Sequence, residues 1–388
     1  MKKIFPLIII LLLTSCTVNQ KQKIIKKEVN QKEDKVEKTL KNMTLEEKIS
    51  QMLILYYEND IVDETLEKTI KQNTPGGFIL MKSNITTYEK TKKFVDNIKK
   101  ISKIVPIIAI DEEGGSVQKL NTLSDIKPSN IPYMYNLGQT NDEELAYNVG
   151  KVIAEELRTI GVNVDFAPTI DVYSNPNNEV IGKRSFGSDP NLVAKMGISL
   201  AKGLEDNKVI PTYKHFPGHG DTDVDSHQNL PIVNKSYEDL DNLDLIPFKK
   251  AVEENGKIIM ISHIAVPNIT GDNSPASLSK KVIDILKKDL KYDGLIITDA
   301  LNMGAVTNNY TNEEIYTKAV EAGNDILLMP NSSKEAIEII KNNISEDRIN
   351  ESVRKILKFK FKYLDENTTL DSSFLASEEH QDILNRIP

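Results

Sequence analysis

Between Lys214 and His227 the chain reads Lys-His-Phe-Pro-Gly-His-Gly-Asp-Thr-Asp-Val-Asp-Ser-His. Three of the protein's five histidines and three aspartates share this stretch. Histidine has the side chain whose unperturbed pKa lies nearest neutrality. Grouped with carboxylates in a loop rich in glycine and proline, it suits proton transfer better than core packing. Asp225 and His227 stand two apart, and in an extended segment such residues point to one side. The carboxylate can then accept a hydrogen bond from one imidazole nitrogen and leave the other for a substrate, which fixes the tautomer and raises its basicity. The structural alternative is a loop in which His227 bonds a backbone carbonyl. Gly218 and Gly220 give the loop unusual backbone freedom.

Other chemistry-bearing residues lie far off in sequence. Asp299 ends the run Leu295-Ile296-Ile297-Thr298, where it can serve as a nucleophile, a metal ligand or a helix N-cap. Asp111-Glu112-Glu113-Gly114-Gly115 sets three acids before two glycines, a turn that lets a ligand approach the backbone. Glu112 and Glu113 read equally well as solvated turn residues. Arg184, in Gly182-Lys183-Arg184-Ser185-Phe186-Gly187, offers several donors to substrate oxygens or ties its own loop down.

These residues need a scaffold that brings them together, and the apolar pattern supplies one. Eight short runs read as strands: Met52–Tyr57, Gly77–Met81, Pro106–Asp111, Val162–Ala167, Ile210–His215, Ile258–His263, Leu295–Asp299 and Asp325–Met329. Helical patterns intervene at Glu89–Ser102, Glu143–Gly161, Leu192–Lys208, Asp244–Asn255 and Lys280–Leu290, and a last one spans Glu346 to about Tyr363. Thr44 with Glu47 forms a capping box that opens the first helix. Continuous apolar strands alternating with helices predict a parallel sheet, and eight such units predict a (β/α)8 TIM-type barrel in a single catalytic domain. A doubly wound open sheet is the competing topology. Asp111, Lys214-His215, His263 and Asp299 all fall at strand C-termini, the face on which barrels carry their sites.

The net charge of −8 argues against a nucleic-acid partner, which needs a basic face. Lys2 and Lys3 precede the apolar run Ile4–Leu13, which is too short for a good membrane span, and Leu13-Thr14-Ser15-Cys16 follows. This reads as a signal peptide over 1–15 whose end resembles a bacterial lipobox, with Cys16 as the lipidation site. An ordinary signal peptide with an incidental cysteine is the alternative. Cys16 is the only cysteine, so no disulfide forms within one chain. Residues 16–38 then read as a solvated tether, 39–364 as the catalytic domain and 365–388 as a loose polar tail. A lipid-anchored monomer facing the periplasm or the exterior is expected.

The motifs Asp111–Gly115, Asn163-Val164-Asp165-Phe166-Ala167-Pro168, Arg184-Ser185-Phe186-Gly187, Lys214–His227 and Thr298–Met303 occur in an order that resembles family 3 glycoside hydrolases, in their bacterial β-N-acetylhexosaminidase branch. The resemblance implies a retaining enzyme that releases terminal β-linked N-acetylglucosamine from cell-wall fragments or chitooligosaccharides. Asp299 would be the nucleophile and His227 the general acid/base, with Asp225 as its partner. Asp111, Arg184, Lys214, His215, Lys119 and His263 would hold the sugar. Family members often carry Arg where Lys119 stands, so the planar fork is lost here. Others in the broader family have Trp after the nucleophile and draw an acid/base Glu from a second domain. This chain has Ala300 and no Trp.

No metal or cofactor is expected. A zinc site from His215, His219 and His227 matches no helical metal motif. Two further alternatives are a β-N-acetylglucosaminide phosphorylase, since a neutral His repels a phosphate dianion less than a carboxylate does, and a sugar-binding surface lipoprotein that cleaves nothing.

Overall fold

The structure is a computed structural model that describes residues 34–222, 226, 229–364 and 369–388. Eight strands form one parallel sheet: β1 (Leu53–Tyr56), β2 (Gly77–Ile79), β3 (Ile107–Ile110), β6 (Val164–Asp165), β7 (Ile210–Phe216), β8 (Ile258–Ile261), β9 (Leu295–Thr298) and β10 (Leu327–Leu328). A short antiparallel hairpin, β4 (Glu112–Gly114) with β5 (Val117–Gln118), follows β3. β10 pairs with β1, and a parallel bridge between Ile297 and Ile326 joins β9 to the segment leading into β10. The sheet therefore closes into a (β/α)8 barrel, and the open doubly wound topology is excluded. Closure leaves no unpaired edge.

Each of the eight expected strands is present, one or two residues shorter at some ends. Their residues are almost all buried because the barrel's packed interior and the outer helices cover both faces. The helices start where side-chain caps satisfy their first amides: Thr44 with Glu47, Asp142 on Leu145 N, Asp189 on Asn191 N and Ser345 on Arg348 N. The final barrel helix runs Glu346–Tyr363 as expected. The pattern over Lys280–Leu290 divides instead into an α-helix, Lys280–Asp284, and a π-helical turn, Ile285–Asp289.

Two boundaries differ from expectation. Residues 34–42 are helical, with Val36 and Leu40 buried and Glu37 paired to Arg354, so the folded domain begins by Asp34 and not at residue 39. Nor are residues 369–388 a loose tail. They form a helix, Glu378–Leu384, that packs on Glu143–Thr159 and buries His380 and Leu384. Among the described residues no helix is long and apolar enough to cross a membrane.

Candidate active site

The strand C-termini open onto a cavity of about 340 Å³, within the range of small-molecule sites. Asp111, Glu113, Lys119, Arg184, Lys214, His215, His219, Ser226 and Asp299 line its polar side. Met81, Val117, Met303 and Met329 contribute to its apolar side.

The centre of the polar wall is a chain of opposite charges. Lys214 Nζ lies 2.8 Å from Asp111 Oδ1 and 2.5 Å from Glu113 Oε1. Arg184 meets Glu113 with two donors, Nε to Oε2 and Nη2 to Oε1, each at 2.8 Å, and Thr169 Oγ1 donates to Glu113 Oε2 at 3.0 Å. Burial alone would push the Glu113 carboxyl up. The charges of Arg184 and Lys214 override it and hold Glu113 well below the usual carboxylate range. Burial would likewise lower Lys214 and Arg184, yet their acidic partners raise both. All three stay charged at neutral pH, and the bidentate pair aims the guanidinium.

His215 and His219 are fixed by one buried carboxylate. Asp171 Oδ2 meets His215 Nδ1 at 2.7 Å, and Asp171 Oδ1 accepts the His219 backbone N–H at 2.6 Å. With Nδ1 engaged, the other His215 nitrogen is left for the cavity. The His219 ring lies between Thr222 Oγ1 at 2.9 Å and Ser226 Oγ at 3.2 Å. Burial and the neighbouring His215 push it down to about 4, so it is neutral at pH 7.

Asp299 follows β9 directly. Its N–H donates to Ile261 O, and its Oδ1 accepts the Ala300 N–H at 2.7 Å. Burial raises its pKa, but His263, His215, Lys214 and the Ala300 amide outweigh that and keep it below the ordinary value. The next helix, Gly304–Thr307, has Met303 at its N-cap, so Asp299 is not a helix cap. Among the described residues no cluster of three His, Cys, Asp or Glu could hold a metal ion.

Asp111, Lys214, His215 and Asp299 thus converge, as the strand-end pattern predicts, and Arg184 and Lys119 line the same cavity from loops. His263 does not join them. It is buried, with Nδ1 2.7 Å from Ser277 Oγ and Nε2 3.0 Å from Ala300 O, and it does not line the cavity. Nε2 holds the turn after Asp299 and Nδ1 ties it to Ser277, so both ring nitrogens are engaged within the protein. Asp225, His227 and Cys16 lie outside the described residues.

Four further acids shape the site without having been assigned a role from the sequence. Glu113 and Glu112 are not solvated turn residues: both are buried. Glu112 accepts from Gln118 Nε2 at 3.2 Å and from Leu120 N at 3.0 Å, and burial pushes it up to about 7. Asp165 Oδ1 accepts the Glu112 N–H at 3.0 Å, while its Oδ2 is buried without a partner. Burial, and then the charge of nearby Glu112, raise the Asp165 carboxyl well above its ordinary value. Asp171, clamping the two histidines, is the fourth. An acid just past the strand-end Pro168 was the available signal for it.

Comparison with known proteins fits this arrangement. Residues 44–359 match the glycosyl hydrolase family 3 N terminal domain. Beta-hexosaminidase A of Pseudoalteromonas piscicida is 30% identical over 354 residues, covering 81% of this chain and 58% of that protein. Beta-hexosaminidase LpqI of Mycobacterium tuberculosis is 36% identical over 227 residues, covering 57% of each. The chain therefore spans less than two thirds of the length of both relatives. A family 3 beta-N-acetylglucosaminidase from a Paenibacillus species superposes with a TM-score of 0.83 at 33% identity, covering 89% of this chain and 68% of that one. The chain belongs to glycosyl hydrolase family 3.

Proposed function

We propose that the protein is a retaining β-N-acetylhexosaminidase that removes terminal β-linked N-acetylglucosamine from cell-wall fragments or chitooligosaccharides. One observation carries the reading. Asp299, kept ionised, shares a single cavity with the Asp111–Lys214–Glu113–Arg184 charge chain and with His215. A carboxylate at a strand end beside a fixed set of hydroxyl-binding donors and acceptors is the equipment of glycosyl transfer. The naming of the Paenibacillus and Pseudoalteromonas relatives supports the same substrate class.

In this mechanism Asp299 Oδ2 attacks the anomeric carbon while Oδ1 stays on the Ala300 amide. The bond from that carbon to the leaving oxygen breaks, and His227 gives the oxygen a proton. A glycosyl ester on Asp299 results. Neutral His227 then takes a proton from water, the resulting hydroxide attacks the same carbon, and the ester bond breaks to free Asp299. Asp225 holds the His227 tautomer. Ser226, between them in sequence, lines the cavity, and its carbonyl accepts the Ala305 N–H at 3.1 Å in the short helix that follows Asp299. That contact supports delivery of the acid/base to the nucleophile. Asp111, Lys214, His215, Arg184 and Lys119 hold the sugar. The protein acts as a monomer, exported and lipidated at Cys16, so it meets its substrate outside the cytoplasm.

The test is hydrolysis of an aryl β-N-acetylglucosaminide. Asp299→Ala should abolish it, and near-normal turnover would overturn the assignment. Run with inorganic phosphate, the same assay would show a sugar 1-phosphate if the enzyme were a phosphorylase.

A further inference from the structure

The family match ends at residue 359, but the fold continues. Residues 369–388 turn back onto the helix Glu143–Thr159 and the segment that follows the β4–β5 hairpin. His380 lies between two acids of that helix, with Nε2 2.9 Å from Glu155 Oε2 and Nδ1 3.2 Å from Glu156 Oε1. Glu156 also accepts the Ala376 N–H at 2.8 Å and the Ser129 N–H at 3.0 and 3.1 Å. Gln381 Nε2 donates to Ser129 Oγ at 3.2 Å, and Asn136 Nδ2 donates to Pro388 O at 2.8 Å.

From Ser129 a buried hydrogen-bond path leads into the site. Ser129 O accepts from Gln118 Nε2 at 3.1 Å, and the same amide donates to Glu112 Oε1 at 3.2 Å. Gln118 Oε1 accepts the Ile131 N–H at 3.1 Å, and Ile131 O accepts the Gly115 N–H at 2.9 Å. Glu112 Oε2 accepts the N–H of Leu120, the residue after Lys119. His380, Glu156, Ser129, Gln118 and Glu112 are all buried, whereas neither His380 nor Glu156 lines the cavity.

We infer that the C-terminal segment is a clasp, in which His380 and Gln381 are positioning residues that set the β4–β5 hairpin and thereby place Glu113 and Lys119 in the active-site cavity. The hairpin needs such support. Its strands are three and two residues long, and a two-stranded ribbon is marginal on its own. Its polar groups point inward to Ser129 and Ile131, and the clasp holds that segment from the opposite side. The kinetic consequence rests on the glycosidase reading; the structural one does not.

The experiment uses the full mature chain with the double variant His380→Asn, Gln381→Ala and the single variant Gln381→Ala, which alters one exposed side chain. Hydrogen exchange of residues 112–131 should quicken about tenfold in the double variant while β7 and β8 stay protected, as expected when charge-assisted bonds are lost. KM for the aryl β-N-acetylglucosaminide should rise about tenfold with kcat within about threefold, because sugar-holding groups are displaced and the nucleophile is not. Should the double variant fail to fold, Gln381→Ala decides through the same readouts at about threefold, the size of one neutral hydrogen bond. A folded variant with unchanged exchange over 112–131 and unchanged KM, whatever its melting temperature, overturns the clasp. If the wild type hydrolyses nothing, the glycosidase reading has failed and the exchange result alone decides.

Discussion

Glu113 and Arg184, 71 residues apart, meet through two parallel hydrogen bonds of 2.8 Å beneath the mouth of the barrel. The pair does more than join two loops. Glu113 also takes Lys214, which in turn binds Asp111, so one buried carboxylate sets the direction of two cations facing the cavity.

Glu113→Ala should therefore be among the most damaging changes in the chain. It leaves the buried Lys214 with Asp111 alone and the partly buried Arg184 without its carboxylate, which costs about 3–5 kcal/mol. Urea unfolding would show this as a lower midpoint, and kcat/KM should fall together with it. A variant of wild-type stability would mean that the two cations find water or other partners.

Arg184→Lys keeps the charge but cannot make both bonds to Glu113. Stability should drop by about 1–2 kcal/mol. The loss in kcat/KM should be about a hundredfold, the usual consequence of a misplaced positioning group. Steady-state kinetics with a melting curve separates the two effects.

Lys360 gives a pH dependence of known sign. It is fully buried, donating to Gln51 Oε1 and Gly76 O at 2.8 and 2.6 Å, and burial pushes it down to about 7. The unfolded chain binds this proton up to about pH 10.5. Between those values the unfolded state holds more protons than the folded one, so stability rises with pH, by an amount on the order of 4 kcal/mol. Lys360→Met should remove that rise. Equal slopes in the two proteins, measured by denaturation from pH 7 to 10, would contradict it.

His380 runs the other way. Burial lowers its pKa, but Glu156 and Glu155 override this and the net shift is upward. Glu379, paired with Lys151, stands next to it, and Lys151 also lies 3.9 Å from Glu155. The stabilisation is complete below the unfolded value near 6.5 and is lost as pH rises through the higher folded value. Protection of residues 112–131 should weaken across that window in the wild type. In the His380→Asn variant it should not change with pH there.

Much of this was legible in the sequence, and the parts that were not share a cause. The strands announced themselves as apolar runs, because a barrel buries both faces of each one. Asp111, Lys214, His215 and Asp299 were found because polar residues at the ends of such runs have few structural uses. Glu113 stayed open between a ligand-facing and a solvated reading, because its burial depends on Arg184 and Lys214 arriving from elsewhere. His263 sits behind the cavity wall, a placement hidden from the sequence because a strand-end histidine does not reveal which way its ring turns. The C-terminal clasp was invisible because polar pairs hold it, not an apolar stripe: His380 with two glutamates, Gln381 with a serine. Val36 and Leu40, four apart, were the signal that the helix at 34–42 belongs to the domain.

The role of Asp299 is open to direct observation. A slow, fluorinated N-acetylglucosaminide-type substrate with a good leaving group should accumulate the glycosyl ester, since the second step becomes limiting. Digestion and mass spectrometry should then find one added glycosyl mass on the peptide bearing Asp299, and none in Asp299→Ala. An inactivated enzyme with the mass on another residue, or full turnover by Asp299→Ala, would contradict the assignment of this aspartate as the nucleophile.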